Sequence, residues 1–132
     1  MATTRLIEYA EANPAVRAVY DDIRATRKSD FINNFWKALA ANPEQLKRTW
    51  DGLKVVMTSG AIDALTKEFI YIAVSVANGC EYCIHSHTAA ARAKGMTEAQ
   101  YAELIAVIGM AHSTNGLATT MQVPVDEAFK VT

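Results

Sequence analysis

Apolar residues recur at helical intervals along almost the whole chain, and strand-type alternation is nearly absent. Asn13-Pro14 supplies a cap and a first-turn proline, Val16, Val19, Tyr20 and Ile23 follow at helical spacing, and Arg27-Lys28 close this first helix. Phe31, Phe35 and Leu39 form a second stripe, with Asp30 as its expected cap. Asn42-Pro43 repeats the start signal for a third helix carrying Leu46, Trp50, Leu53 and Met57, which Ser59-Gly60 ends. A fourth helix is predicted over about residues 63–77, where Leu65, Phe69, Ile72 and Val76 make a stripe that widens into an almost wholly apolar half. Such a helix is expected at the centre of a bundle. Asn78-Gly79 stops it, because both residues accept the left-handed backbone of a helix end. The fifth helix starts within residues 80–83 and runs to Lys94, with Gly95 as terminator. Thr97 and Gln100 form a capping-box signature for a sixth, which Tyr101, Leu104, Ile105 and Ile108 continue. Gly109 or the run 113–116 is a candidate break, leaving a short last element around Pro124 and Asp126.

The pattern predicts an all-α, single-domain bundle of about six helices over residues 1–132. A chain of 132 residues can bury a core without covalent staples, so its two cysteines are available for chemistry. With 51% hydrophobic residues it has more apolar surface than one small core readily hides, which points to a homo-oligomer. A net charge of -1 without a lysine/arginine cluster argues against nucleic acid or an anionic membrane surface as partner. Residues 1–8 hold no apolar signal core, and the apolar run 69–77 is too short to span a bilayer, so the expected location is the cytoplasm. There, a CxxC pair is more often redox or metal chemistry than a structural bridge.

Both cysteines lie in Cys80-Glu81-Tyr82-Cys83-Ile84-His85-Ser86-His87. On a helix, about 100° per residue places Cys83 about 60° and His87 about 20° from Cys80, so the three share a face that excludes Tyr82 and His85. A thiol attacks only as thiolate, and a free cysteine near ~8.5 is mostly protonated at neutral pH. The unpaired N–H groups and dipole of a first helical turn lower that value, and His87 is placed to take the proton. Across an i, i+3 helical step the Cα atoms are also roughly 5–6 Å apart, which permits a disulfide. Glu68, twelve residues before Cys80, interrupts an apolar face and is expected beside the thiols with a raised pKa. No phosphate-binding glycine loop occurs, and the donors for zinc lack a fourth protein ligand, so neither metal nor organic cofactor is expected.

Lys67-Glu68-Phe69-Ile70, the run Val76-Ala77-Asn78-Gly79, and Cys80-Glu81-Tyr82-Cys83 with His87 resemble the core of the alkylhydroperoxidase AhpD and carboxymuconolactone decarboxylase superfamily, over about residues 60–95. The resemblance implies a helical bundle that assembles into trimers or hexamers. It implies hydroperoxide reduction with Cys83 as the peroxide-attacking cysteine and Cys80 as the proton donor that resolves the sulfenic acid into a disulfide. Glu68 and His87 would be the proton relay, and a lipoyl-bearing protein or another dithiol the reductant. Two other readings remain open: a cofactor-free decarboxylase acting through His87 and Glu68, which thiol alkylation would spare, and a non-enzymatic redox sensor. Tyr82 either lines the pocket or fills a groove between helices, His85 is as much a surface residue as a supporting one, and His112 is expected at a helix end.

Overall fold

A computed structural model of the chain describes residues 1–131. The described residues form six α-helices and two short 3-10 turns, with no strand, so the all-α expectation holds. They divide into two compact units, Met1–Thr58 and the residues from Ser59 onward.

In the first unit, α1 (Pro14–Arg27) starts where Asn13 accepts the Val16 N–H at 2.9 Å, and ends at Lys28 in a left-handed conformation. α3 (Pro43–Val56) starts in the same way, Asn42 accepting from Gln45 N–H at 3.1 Å. α2 is shorter than its stripe predicts. It covers Asn34–Leu39 with Asn33 as N-cap, and Phe31 lies outside it, 68% exposed. The cause is the end of α1: after the left-handed Lys28, Arg24 Nε donates to the Asp30 carbonyl at 3.1 Å, which holds residues 29–33 as a loop. Ile32 and Trp36 are therefore the residues turned inward. Trp36 meets Trp50 edge to face, centroids 5.4 Å apart, an arrangement worth about 0.5–1.5 kcal/mol beyond area burial. Trp50 Nε1 donates to Asp22 Oδ2 at 2.6 Å, and Tyr20 donates its phenolic proton to the Ile7 carbonyl at 2.8 Å, so the polar ends of both buried rings are satisfied. Burial, with Glu8 nearby, pushes the Tyr20 phenol up to about 12.

The second unit is built on α4 (Ala64–Ala77), α5 (Glu81–Ala93) and α6 (Glu98–Met121), with α4 packing on both others. Asp63 caps α4 through the Thr66 N–H at 2.9 Å. Leu65, Phe69, Ile72 and Val76 of α4 join Ala91, Met96, Tyr101, Leu104 and Ile108 in one apolar cluster. Contrary to the central place its apolar sequence predicts, α4 is not enclosed: Ile70 and Val74, on its other side, are exposed. α6 runs unbroken through Gly109 and residues 113–116. Within that run the Thr114 hydroxyl bonds back to the Met110 carbonyl at 3.0 Å, and further along Thr120 does the same to the Gly116 carbonyl at 2.8 Å. His112 consequently lies exposed in mid-helix rather than at an end. The whole of α6 contains no buried residue, although Ile105, Val107, Met110, Leu117 and Met121 lie along it.

Candidate functional site

Three residues, Asn78, Gly79 and Cys80, connect α4 to α5, and they fix where the cysteines stand. Gly79 takes φ 65, the left-handed region that costs a glycine nothing; its N–H bonds the Val76 carbonyl at 3.1 Å and the Cys80 N–H bonds the Ser75 carbonyl at 2.9 Å. This closes α4 and leaves Cys80 as the N-cap of α5. Cys80 Sγ accepts the Cys83 N–H at 3.3 Å, so the sulfur sits where a helix presents unpaired donors and the positive end of its dipole. Cys80 and Cys83 are joined in a disulfide, with Cα atoms 5.3 Å apart. Both are part-buried.

One turn beyond Cys83, His87 Nδ1 lies 2.6 Å from Glu68 Oε2. The pairing of Glu68 with His87 is thus formed as expected, by α4 lying alongside α5. Its electrostatics differ from expectation. Glu68 is 3% exposed, and that burial raises its pKa, but the hydrogen bonds from His87 and from Lys94 outweigh it, and the carboxyl ends below its ordinary value. Lys94 Nζ donates to Glu68 Oε1 at 2.8 Å. A carboxylate with a donor on each oxygen is an anion that holds others in place, not a raised-pKa acid. Tyr71, three residues after Glu68 on α4, stacks on the His87 ring with centroids 3.6 Å apart and planes 20° off parallel.

Lys94 and Tyr71 are the members of this cluster that the sequence reading missed. Signals for both were present: Lys94 is seven residues after His87, on the same helical face, and Tyr71 is three after Glu68. Tyr82 is 44% exposed and on the opposite side of α5, and His85 is exposed as well. Among the described residues no group of three His, Cys, Asp or Glu side chains could hold a metal ion, and no helix is long and apolar enough to cross a membrane.

A profile of the carboxymuconolactone decarboxylase family matches residues 43–126. The chain belongs to that family. The crystal structure of the alkylhydroperoxidase AhpD core from Rhodospirillum rubrum is 63% identical and has a TM-score of 0.97, over 100% of this chain and 99% of that one. The fold is therefore AhpD-like. Uncharacterized protein 4 in the cox locus of Paracoccus denitrificans is 38% identical over 72 residues, which are 49% of this chain and 65% of that protein. An (R)-2-haloacid dehalogenase of Pseudomonas putida is 30% identical over 105 residues, 80% of this chain and 35% of the enzyme. The chain spans less than two thirds of the length of either of these two relatives.

Proposed function

We propose that this protein reduces hydroperoxides by a dithiol/disulfide cycle at Cys80 and Cys83. The observation that carries the reading is the cysteine pair on the first turn of α5, one turn before a histidine clamped by Glu68 and Tyr71. The similarity to an AhpD core over the full chain supports it.

In the reduced protein, His87 takes the Cys83 proton, and the thiolate attacks the terminal oxygen of the hydroperoxide. The O–O bond breaks, Cys83 becomes a sulfenic acid, and the leaving alkoxide takes the proton back from the His87 imidazolium to depart as an alcohol. Cys80 sulfur then attacks the sulfenic sulfur, the S–O bond breaks, the hydroxide leaves as water with the Cys80 proton, and the disulfide forms. A dithiol reductant, a lipoyl-bearing protein or another of that class, returns two electrons and two protons and is itself oxidised to a disulfide. Glu68 stays anionic and stabilises the imidazolium, a change from the acid role its apolar surroundings suggested. A cytoplasmic setting suits the cycle, because thiols are kept reduced there.

We also assign a trimer or hexamer. Its support is α6, a 24-residue helix with no buried residue and a run of exposed aliphatic side chains. Light scattering tests the assembly: a mass near the 14.4 kDa of one chain contradicts it. The activity is tested by consumption of several hydroperoxides with dihydrolipoamide, in the wild-type protein and in Cys83→Ser. Turnover in the first and none in the second is expected; hydroperoxide turnover that survives alkylation of both cysteines would contradict the cycle, and alkylation-insensitive turnover of a small lactone or β-keto acid would favour the decarboxylase-like alternative, in which His87 and Glu68 act without thiols.

A further inference from the structure

Lys94 has no place in the thiol chemistry, yet its backbone is fixed as firmly as that of Cys80. It is the C-cap of α5: Gly95 is left-handed with φ 97, the Met96 N–H bonds the Ala91 carbonyl at 3.0 Å, and Met96 is buried behind the turn. A cation is also electrostatically favoured at that end of a helix. One face of α5 thus carries Cys80, Cys83, His87 and Lys94 in succession, and Glu68 of α4 spans the last two, one carboxylate oxygen to each. Such a carboxylate cannot rotate without losing a partner. Because it only accepts, the His87 proton lies on Nδ1, and in the neutral ring Nε2 keeps the lone pair. The charged groups acting on Glu68 are His87 and Lys94; α6, also packed on α4, brings the Tyr101 ring to the adjoining cluster, beneath Arg92.

We propose that Lys94 is a positioning residue for His87: by holding Oε1 of Glu68 it keeps Oε2 as the acceptor of the Nδ1 proton and leaves Nε2 as the nitrogen able to serve the Cys83 thiol. Its purpose rests on the dithiol reading; its geometry does not.

The test compares Lys94→Met, which removes the ammonium, with Lys94→Arg, which keeps a charged donor, and Lys94→Gln, which keeps a neutral one. In reduced, nitrogen-15-labelled protein, long-range proton–nitrogen NMR reads the His87 tautomer. Wild type and Lys94→Arg should show the Nδ1-protonated ring, whereas Lys94→Met should shift a large share of it to Nε2–H, with Lys94→Gln between them. Iodoacetamide should react with the thiols of Lys94→Met about tenfold more slowly, less than the 10²-fold or more expected from loss of the base itself. An unchanged tautomer in Lys94→Met, or in Lys94→Gln should the first not fold, overturns the proposal. So does a Lys94→Arg protein no better than Lys94→Met. Absence of peroxide turnover in the wild type would instead remove the dithiol reading and leave the tautomer result standing.

Discussion

In Met1–Thr58 every buried side chain is aliphatic or aromatic, with Tyr20, Trp36 and Trp50 filling the interior; in the second unit the buried set is Ile72, Ala91 and Met96 together with Glu68 and Ser75. The first unit places its charged groups at the edge, where Asp22 meets Lys54 and the Trp50 nitrogen. The second encloses a carboxylate and arranges an imidazole, an ammonium and two sulfurs along one helix beside it. Close packing of large apolar groups stabilises without offering reactive atoms, whereas a buried anion stabilises little by itself and acts through what it holds. Stability and chemistry are thus concentrated on different stretches of the chain, and substitutions should separate them.

The sharpest separation is expected from a cysteine. Cys83→Ser should abolish peroxide turnover while leaving the unfolding midpoint of the reduced protein within a few degrees of wild type, by thermal scanning. Trp36→Ala should do the reverse. It should cost about 3–5 kcal/mol in denaturant unfolding, the range for removing a buried indole, while the protein that remains folded turns over normally. Loss of turnover without loss of stability in Trp36→Ala would break the comparison.

Next in size are Glu68→Gln and His87→Ala. Each should slow turnover by roughly 10²-fold or more and move the pH midpoint of thiol alkylation upward, the usual scale for a lost acid/base contribution. The acid limb of stability gives a smaller effect. Burial raises the Glu68 pKa, but the hydrogen bonds from His87 and Lys94 lower it further, so the folded-state value lies below the ordinary 4.5. A depressed carboxylate adds stability that is fully present above the unfolded value and is lost as pH falls through the folded one. Thermal midpoints taken from about pH 6 down to about pH 3 should therefore fall less steeply in Glu68→Gln than in wild type. The smallest effect belongs to a cap: Thr97→Ala should cost about 1 kcal/mol and leave turnover unchanged, since it removes only the acceptor of the Gln100 N–H at the start of α6.

What could be read along the chain follows the range of the forces involved. The starts at Asn13, Asn42, Asp63 and Thr97 are set by a side chain three residues from its donor, and each was legible. The spacing of Cys80, Cys83 and His87 was legible for the same reason, being a property of one helix. α2 was misplaced because its start depends on Arg24 reaching the Asp30 carbonyl after a left-handed turn. The end of α6 was missed because threonine hydroxyls that can break a helix instead bond back within it. Most instructive is Glu68. Its apolar neighbours in sequence argue for a raised pKa, and the groups that reverse the sign are His87 and Lys94, 19 and 26 residues away and brought near only when α4 and α5 pack.

The central claim is that Cys80 and Cys83 together carry two electrons to a hydroperoxide, and rapid quench with mass spectrometry on the reduced protein tests it most directly. The account predicts one Cys80–Cys83 disulfide formed per hydroperoxide consumed, a trappable sulfenic acid at Cys83 in Cys80→Ser, and no consumption in Cys83→Ser. Stable sulfenic acid at Cys80 in Cys83→Ser, with none at Cys83 in Cys80→Ser, would exchange the two roles; hydroperoxide consumed while both thiols stay reduced would contradict the claim itself.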